Sequence, residues 1–397
     1  MTPTEPTRRI AILGSTGSIG RATLEVIAAV PERLRVEGLA AGRNLALLAE
    51  QVERFSPRLV AVADQRSAAA LRGQVPPGVD VIGGPSALQE MAVMARADTV
   101  VVAVVGIAGL LPTLAAARAG KRIALATKEV MVAGGDLVTH AVSASGTSLI
   151  PLDSEHNAIF QCLVGEDSGA VRRLILTASG GPFLRRAPQD LAGVSPQEAL
   201  AHPVWHMGQR VTIDSATMMN KGLEIIEAAR LFGMPPSAVD VLVHPQAVVH
   251  AFVEFVDGSM KTLLAPPDMR LVIHYALHHP HRQPTAFVSG VPEHDQPLWD
   301  RLSPLTFEPP DPERFPSLAL AREAAEAGGT MPAVLNAADE VAVERFLTGA
   351  IGFLEIPRLV RRVMDSHVVG ARPGLEDILA ADTWARTESA RLAAKLA

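Results

Sequence analysis

Apolar runs rich in β-branched residues alternate with helix-like segments through the first 150 residues. The runs are short and continuously apolar, whereas apolar residues in the segments between them recur at helical spacing. This rhythm is typical of parallel strands joined by helices that cover both faces of one sheet. The predicted strands are residues 9–13, 36–41, 59–62, 99–105 and 122–126.

The pattern changes near residue 151. Strand-like runs then mix with a long helical pattern over residues 216–232, and polar, proline-bearing loops separate them. This mixture predicts an α+β domain whose sheet is partly antiparallel. The strands predicted there are residues 174–178, 239–244 and 249–255.

Towards the C-terminus, a segment rich in Pro, His and Asp precedes a series of helical patterns that glycines punctuate. These patterns predict a small helical bundle with helices at residues 317–327, 332–347, 355–366 and 375–395. We therefore predict four parts: a parallel α/β domain (1–150), an α+β domain (151–290), a linker (291–316) and a helical domain (317–397).

Bulk composition narrows the class of protein. A chain of 397 residues is too long for one core. A net charge of −6 without a basic stripe argues against a nucleic-acid partner. Cys162 is the single cysteine, so no intramolecular disulfide can form, and we interpret it as a small buried apolar residue in a reducing compartment. The polar N-terminus has no signal-peptide pattern, so we expect a cytoplasmic protein.

One uncharged stretch, residues 99–117, invites a membrane interpretation. However, Gly106, Gly109 and Pro112 interrupt it, and the β-branched run before them suits a buried strand. A strand, a glycine turn and a helix are therefore favoured over a transmembrane span, and we expect no membrane partner.

A glycine-rich turn follows the first predicted strand. The string GSTGSIG (14–20) runs into a helical segment, and such a turn lets the backbone approach a pyrophosphate at the positive end of the helix. The second strand leads into Gly42, Arg43 and Asn44 instead of the acidic residue of an NAD site. Arginine can pair with a 2′-phosphate, which favours NADP; the alternative is a solvated loop arginine.

Carboxylates and phosphate-binding groups concentrate between residues 151 and 224. If residues 151–156 are extended, Asp153 and Glu155 lie on one side, and hard oxygen ligands suit Mg²⁺ or Mn²⁺. Glu224 is a third candidate, on a helix that Asp214 or Ser215 would cap.

Two further segments offer polar donors. Asn220, Lys221 and Glu224 share a helix face, on which the amide and the amine could hold a phosphate. Ser179 lies in a glycine-rich turn that could present donors to the same group. Taken singly, each of these residues has an ordinary structural explanation, such as a cap, a surface ion pair or a turn.

Two other features point to a small-molecule site. Residues 202–208 combine His202, Trp205 and Met207 in a proline- and glycine-bearing loop that could close over a substrate. Lys128 follows a predicted strand at the carboxyl end, where open α/β sheets bind ligands, and could polarise a substrate oxygen.

Taken together, the strings resemble the 1-deoxy-D-xylulose 5-phosphate reductoisomerase family over nearly the whole chain. DSATMMNKGLE (214–224) and PLDSEHNAIFQ (151–161) are the most specific, and GSTGSIG the least. The others are ALATKE (124–129), TASGGPF (177–183), HPQAVVH (244–250), PDMR (267–270) and AVLNAADEVAV (333–343).

The resemblance implies a homodimeric enzyme with a Rossmann-like doubly wound parallel sheet, an α+β catalytic domain and a C-terminal helical bundle. It would use NADPH and a divalent cation, Mg²⁺ or Mn²⁺ with Co²⁺ as a further candidate. It would rearrange the carbon skeleton of a phosphorylated sugar by retro-aldol and aldol steps, and then reduce the aldehyde to 2-C-methyl-D-erythritol 4-phosphate.

The resemblance also implies roles for individual residues. The implied metal ligands are Asp153, Glu155 and Glu224. The implied phosphate ligands are Ser179, Ser215, Asn220 and Lys221, and the other substrate contacts are Lys128, Ser154, Glu155, His202, Trp205, Met207 and Glu224. The implied cofactor residues are Thr16, Gly17, Ser18, Ile19, Gly42, Arg43, Asn44, Thr127, Glu129 and Gly208. The predicted catalytic residues are Lys128, Asp153, Glu155, His202 and Glu224, and which of them moves protons stays open.

This chain departs from the family strings at several positions, and none of them carries a predicted metal or phosphate ligand. Thr127 stands where Asn is usual, Arg210 where Lys is usual and Asp339 where Asn is usual. His206 and Leu184 also differ, from a small polar residue and from Arg. The departures put details of loop closure and cofactor affinity in question.

Two rival hypotheses remain open on the sequence. One is an NADP-dependent dehydrogenase that acts on another phosphorylated sugar without rearrangement. The other is a non-catalytic NADPH sensor, for which three convergent carboxylates would have little use. Metal dependence and a branched product distinguish the reductoisomerase from both.

Overall fold

The computed structural model describes residues 7–205, 207–285, 287 and 304–395. Its described residues divide into two compact units, and each unit combines separate stretches of the chain. The first unit draws on Met1–Val130, Val138–Asn157 and Asp268–Gln296, and the second on Met131–Leu137, Ala158–Pro267 and Pro297–Ala397. The four-part domain division stays a prediction.

The described residues form eleven strands and fifteen α-helices. The strands are β1 (Arg8–Leu13), β2 (Leu34–Ala41), β3 (Leu59–Val62), β4 (Asp80–Gly83), β5 (Thr99–Val102), β6 (Arg122–Leu125), β7 (Leu149–Pro151), β8 (Val171–Ala178), β9 (Val239–Val243), β10 (Val249–Phe255) and β11 (Met260–Leu264). The helices are α1 (Ser18–Ala29), α2 (Leu45–Phe55), α3 (Gln65–Arg72), α4 (Ala87–Ala92), α5 (Leu110–Arg118), α6 (Lys128–Ser145), α7 (Ser154–Cys162), α8 (Pro196–Ala199), α9 (Gln209–Ala216), α10 (Met219–Phe232), α11 (Met269–His278), α12 (Ser317–Ala327), α13 (Met331–Leu347), α14 (Glu355–Asp365) and α15 (Leu375–Ala393).

The first unit contains a parallel sheet, as the alternating pattern predicted. Among the described residues its seven strands run in the order β4-β3-β2-β1-β5-β6-β7, and every neighbouring pair is parallel. The strand order reverses between β1 and β5, which is the arrangement of a doubly wound fold. Ile10 to Leu13 and Val100 to Val102 are fully buried because helices cover both faces, which explains their uninterrupted apolar runs.

The uncharged stretch forms a strand, a turn and a helix, which confirms the interpretation favoured from the sequence. The strand β5 ends at Val102, three residues earlier than predicted, and a 3-10 helix, Gly106–Gly109, leads into α5. Pro112 is buried in the first turn of α5. Among the described residues, no helix has the length and apolar character that a membrane span requires.

The sequence pattern did not predict three strands, β4, β7 and β11. The first two have four and three residues, too few to show a period, and β7 includes Pro151. In β11 the first three residues are exposed, because it lies at the edge of its sheet. These strands form through pairing with neighbours, which local pattern does not report.

The helix α11 completes the first unit from a distant part of the chain. It packs on α1, where Arg270 lies 3.6 Å from Glu25. The Arg8 guanidinium donates to the carbonyl oxygens of Leu277 and His279, and Arg122 donates to His279 at 2.6 Å. Cations at the carboxyl end of a helix satisfy its last carbonyls and oppose its dipole.

The second unit holds a mixed sheet, as predicted. Its four strands, counted over the described residues, run in the order β11-β10-β8-β9. The pair β8 and β9 is parallel, and the other two pairs are antiparallel. Cys162 is buried in the core beneath this sheet, which confirms its interpretation as an apolar residue.

The second unit also contains the predicted bundle, formed by α12, α13, α14 and α15. Each of these helices begins and ends within two residues of its predicted bounds. Phe346 and Phe353 pack edge to face at 5.7 Å, and Phe183 packs on Phe353 at 5.2 Å. The bundle therefore shares one core with the turn after β8.

The helix predicted over residues 216–232 forms as α10, but it begins at Met219, three residues later than predicted. Thr217 and Met218, whose φ of 59° lies in the left-handed region, separate it from α9. Asp214 and Ser215 belong to the last turn of α9, so they do not cap α10. A buried methionine in this conformation costs free energy, and such strain commonly marks a functional turn.

Replacement of Gly222 by alanine should destabilise the second unit. A Cβ at this position would lie 2.6 Å from the Cβ of Ala321, because α10 and α12 pack closely there. We expect a loss of about 1–3 kcal/mol, which thermal unfolding would detect. Gly352→Ala is the control, since an added Cβ there meets nothing within 4 Å. Equal melting temperatures for the two variants would contradict the packing argument.

Candidate functional site

The turn between β1 and α1 is shaped by three glycines that play different parts. Gly14 has a φ of +94°, and a Cβ there would lie 2.3 Å from the carbonyl oxygen of Ala103. A Cβ on Gly20 would lie 2.2 Å from the carbonyl oxygen of Gly14, so α1 packs directly on the turn. Gly17 is exposed, and a Cβ there would only reach ordinary contact at 3.4 Å. The turn thus leaves open backbone at the start of α1, where a pyrophosphate can bind.

The predicted cofactor residues of the first unit lie at the carboxyl ends of three parallel strands. Thr16, Gly17, Ser18 and Ile19 follow β1, next to the point where the strand order reverses. Gly42, Arg43 and Asn44 follow β2, and Thr127 and Glu129 follow β6. Ligands of open α/β sheets bind at this edge, so the sheet brings the three groups to one side. Gly208 lies in the second unit, directly before α9.

Arg43 is exposed after β2, and its neighbour Asn44 has a structural function. The Asn44 side chain accepts a hydrogen bond from the backbone N–H of Leu47 at 3.1 Å and so caps α2. This cap fixes the turn that presents Arg43 to solvent at the ligand edge of the sheet.

Thr127 is buried at the start of α6. Its hydroxyl donates to the carbonyl oxygen of Val104 at 2.6 Å, so this side chain holds the backbone after β5. Lys128 and Glu129 form the first turn of the same helix, and both are at most partly exposed. The predicted cofactor contact of Thr127 stays a prediction.

Lys128 and Asp153 form an ion pair within the first unit. They follow β6 and β7, which are neighbours in the sheet, so their side chains meet at its carboxyl edge. Burial alone would raise the pKa of the Asp153 carboxyl, but the Lys128 ammonium, and after it His156, holds that pKa well below its ordinary value. Asp153 is therefore ionised at neutral pH.

The extended conformation expected for residues 151–156 is wrong beyond Pro151. The helix α7 begins at Ser154, so Asp153 precedes the helix and Glu155 lies in its first turn. The Ser154 hydroxyl donates to Glu155 at 2.5 Å. Carboxylates at the start of a helix are stabilised by the positive end of its dipole, so the helix start, and not an extended strand, places Asp153 and Glu155.

The predicted face of α10 exists and is compact. Asn220 donates from its amide nitrogen to Glu224 at 2.5 Å, and the Lys221 ammonium pairs with the other oxygen of the same carboxylate. Lys221 and Glu224 are 4% and 1% exposed. Two buried groups of opposite charge and an amide lie in the first turns of a helix whose N-cap residue, Met218, makes no side-chain cap. This arrangement is unusual for structure alone and suits an anionic ligand.

The predicted phosphate residues Ser179 and Ser215 lie on two segments that approach closely. A Cβ on Gly181, whose φ is +65°, would lie 2.8 Å from the carbonyl oxygen of Ser215. The glycine therefore allows the turn after β8 to approach the end of α9. This approach brings the two serines onto neighbouring backbone.

His202 organises the loop that follows α8. Its Nδ1 accepts the backbone N–H groups of Val204 at 3.1 Å and Trp205 at 2.8 Å. The proton of the neutral ring therefore lies on Nε2, which donates to the Ser179 hydroxyl oxygen at 3.0 Å. That oxygen also accepts from the backbone N–H of Gly181 at 3.3 Å, so the Ser179 hydrogen can point to an anion. Trp205 and Met207 are partly exposed, and His206 lies outside the described residues.

Two histidines near these groups were missed. His156 is fully buried, and its Nδ1 lies 3.8 Å from Asp153. His250 is 5% exposed and donates from Nε2 to the carbonyl oxygen of Ala265 at 3.1 Å. Burial, with a smaller contribution from the Lys221 ammonium, lowers the pKa of His250 to about 4. Both histidines belong to strings that carry the family resemblance, 151–161 and 244–250. Their place in these strings was the signal from which the sequence could have predicted them.

Acidification should destabilise the protein through His250. Below pH 6.5 the unfolded chain takes up a proton here, whereas the folded chain stays neutral until about pH 4. Stability therefore falls as pH drops through this window, by on the order of 2 kcal/mol between pH 7.5 and pH 5. Urea unfolding at both pH values should show a smaller loss for His250→Gln than for the wild type. The control is His140→Gln, because His140 is exposed and should keep the loss of the wild type. If His250→Gln lost as much stability as the wild type, or if His140→Gln lost as little as we expect for His250→Gln, then His250 would not cause the pH dependence.

Sequence models of one family match this chain in three places. The model of 1-deoxy-D-xylulose 5-phosphate reductoisomerase matches residues 10–135. Two models of C-terminal domains of the same enzyme match residues 149–232 and 264–388. Together they cover both units.

Curated relatives agree over nearly the full length. The 1-deoxy-D-xylulose 5-phosphate reductoisomerase of Symbiobacterium thermophilum is 54% identical over 385 residues, which is 95% of this chain and 96% of the relative. The enzyme of Pelotomaculum thermopropionicum is 50% identical over 383 residues, which is 96% of this chain and 97% of the relative.

Solved structures of the same enzyme share the fold. The Zymomonas mobilis enzyme in complex with NADPH has a TM-score of 0.89 and 43% identity, and the match covers 98% of this chain and 99% of that one. A DOX-P reductoisomerase in complex with NADPH, fosmidomycin and magnesium has a TM-score of 0.91 and 40% identity, with the same coverage. The chain thus belongs to the 1-deoxy-D-xylulose 5-phosphate reductoisomerase family.

Proposed function

We propose that this protein rearranges 1-deoxy-D-xylulose 5-phosphate and reduces the product with NADPH to 2-C-methyl-D-erythritol 4-phosphate, in the non-mevalonate route to isoprenoid precursors. The observation that carries the proposal is the buried face of α10, where an ammonium and an amide meet a carboxylate. A plain dehydrogenase has no evident use for this arrangement, whereas a phosphorylated substrate and a cation together need both charges.

NADPH is the proposed cofactor, and when bound it supplies the hydride that reduces the aldehyde. The turn after β1 would receive the pyrophosphate at the start of α1, near Gly17 and Ser18, where Gly17 has no Cβ to limit the approach. Arg43 would pair with the 2′-phosphate, because it is exposed at the carboxyl end of β2. The other proposed contacts are Thr16, Ile19, Gly42, Asn44, Thr127, Glu129 and Gly208.

A divalent cation fits the donor groups present. Asp153 and Glu224 are largely buried, each pairs with a lysine ammonium, and the low pKa of Asp153 keeps it ionised. Hard carboxylate oxygens suit Mg²⁺, Mn²⁺ or Co²⁺, so we propose Asp153, Glu155 and Glu224 as ligands. The cation would polarise substrate oxygens as a Lewis acid during the rearrangement.

The substrate phosphate would be held far from the reacting carbons. Asn220 and Lys221 supply an amide and an ammonium at the start of α10, and Ser179 and Ser215 supply hydroxyls from two adjoining segments. Binding energy from such a remote group positions the reacting atoms without taking part in the chemistry.

Protein groups near the carbon skeleton would orient it and exchange protons. The Lys128 ammonium can donate to a substrate hydroxyl or carbonyl oxygen. Ser154 and Glu155 place a hydroxyl beside a carboxylate, through which a substrate hydroxyl can exchange a proton. His202 would fix the loop over the substrate through its bonds to Trp205 and Val204.

The loop itself would exclude water. Trp205 and Met207 are large apolar side chains in an otherwise irregular segment, and both are partly exposed. Closure of such a loop removes water from a charged site and strengthens every electrostatic contact inside it.

We also propose that the protein works as a homodimer in the cytoplasm. The family resemblance supports a dimer, and the single cysteine supports a reducing compartment. Light scattering would test the assembly directly.

The decisive assay follows NADPH absorbance with 1-deoxy-D-xylulose 5-phosphate and Mg²⁺ or Mn²⁺, and again with EDTA. We expect oxidation that requires both substrate and metal, with a branched polyol phosphate as product. In Glu224→Gln, turnover should fall by about 10³-fold or more, because a buried ligand charge is lost. Oxidation that is indifferent to EDTA, or an unbranched product, would favour another dehydrogenase. Binding of NADPH without consumption would favour a sensor.

Arg43 should determine the preference for NADPH. Arg43→Ala removes the proposed partner of the 2′-phosphate, so KM for NADPH should rise by about tenfold or more, while KM for NADH stays constant. Steady-state kinetics with both cofactors measure this. Arg35→Ala is a matched control, since Arg35 is an exposed arginine near the opposite end of the same strand. If both variants behaved alike, Arg43 would be no more than a solvated loop residue.

A further inference from the structure

Both ends of the loop at residues 202–208 are held by polar contacts. At the first end, the His202 ring binds two backbone N–H groups of the loop and the Ser179 hydroxyl. The second end runs through Gly208 into the first turn of α9. The anchor of that turn has no assigned function.

Arg210 provides this second anchor. Its guanidinium donates to Glu340 at 2.6 Å and to Asn336 at 2.8 Å, and it lies 3.7 Å from Asp339. These three partners belong to one face of α13, where Asp339 and Glu340 lie three and four positions after Asn336. The guanidinium also lies 3.5 Å from Asp214 of its own helix, α9. Only 15% of the Arg210 side chain is exposed, so the contacts are shielded from water.

The network continues beyond α13. Glu340 also pairs with Arg386 of α15 at 2.7 Å, and Arg386 pairs with Asp382 of its own helix at 2.7 Å. Two guanidiniums therefore connect α9, α13 and α15 through carboxylates whose side chains are at most 16% exposed. Loss of one partner from such a network leaves buried charge behind, which makes the geometry hard to deform.

The helix α9 links this anchor to the proposed phosphate site. It has eight residues, about 12 Å of rise, and Ser215 lies in its last turn. The Ser215 carbonyl adjoins the turn that carries Ser179. A displacement of the first turn of α9 would therefore move the loop end and Ser215 together.

We propose that Arg210 is a positioning residue for substrate binding, which holds the loop hinge and Ser215 in one fixed arrangement on α13. This inference rests on the proposed function for its kinetic consequences, since the phosphate contacts belong to that function. Arg210 itself need not touch the substrate. Its planar guanidinium donates to Glu340 and Asn336 simultaneously, and a lysine ammonium cannot span both partners.

The test compares Arg210→Met and Arg210→Lys with the control Arg386→Met. Arg386 belongs to the same network, but its helix carries no part of the loop or the proposed site. For both Arg210 variants we expect KM for 1-deoxy-D-xylulose 5-phosphate to rise by about tenfold, and KM for NADPH to stay within about twofold. The lysine variant retains the charge, so it keeps the test valid if the methionine variant does not fold. The control should keep the substrate KM of the wild type.

Hydrogen exchange of residues 200–216 supplies a readout that needs no turnover. The Arg210 variants should exchange faster at the loop amides bound by His202 and along α9, and Arg386→Met should not. Unchanged exchange and unchanged substrate KM in Arg210→Lys would overturn the inference, as would equal effects in Arg386→Met. If the wild type does not turn over this substrate, the proposed function fails, and the exchange data alone decide the role of Arg210.

Discussion

Buried charge is the constraint on which the site depends. A carboxylate removed from water must be neutralised, and a lysine ammonium lies beside each of two largely buried carboxylates of the proposed site. Asp153 pairs with Lys128, and Glu224 pairs with Lys221. The same lysines are the proposed substrate contacts, so the groups that make the carboxylates tolerable inside the protein are also those that an anionic substrate requires.

The geometry of the backbone brings the two members of each pair together. Lys128 and Asp153 meet because β6 and β7 are adjacent parallel strands whose carboxyl ends share one edge. Lys221 and Glu224 meet because they lie three residues apart on one helix. Close packing then holds the elements in place: α10 packs on α12 at Gly222, where a single methyl group would collide with Ala321.

Two of the departures from the family strings explain one another. Arg210 and Asp339 lie 129 residues apart along the chain but 3.7 Å apart in the second unit. Asp339 is fully buried, so the carboxylate is acceptable there because a guanidinium is near. Thr127, in contrast, directs its hydroxyl to the carbonyl oxygen of Val104, and nothing in the structure explains why Thr replaces Asn at that position.

Sequence patterns alone determined five of the seven strands of the parallel sheet, the partly antiparallel character of the second sheet and the helices of the bundle, because each depends on the local period of apolar residues. The residue types of the site were also evident, since glycine turns, paired carboxylates and a lysine–glutamate helix face have few alternative uses in combination. Short or exposed strands such as β4 and β11 were not evident, because they exist only through pairing. The start of α7 at Ser154, the break at Met218 and the positions of His156 and His250 depended on contacts with distant segments. Those contacts are set by packing and by the pairing of buried charges, which no local pattern encodes.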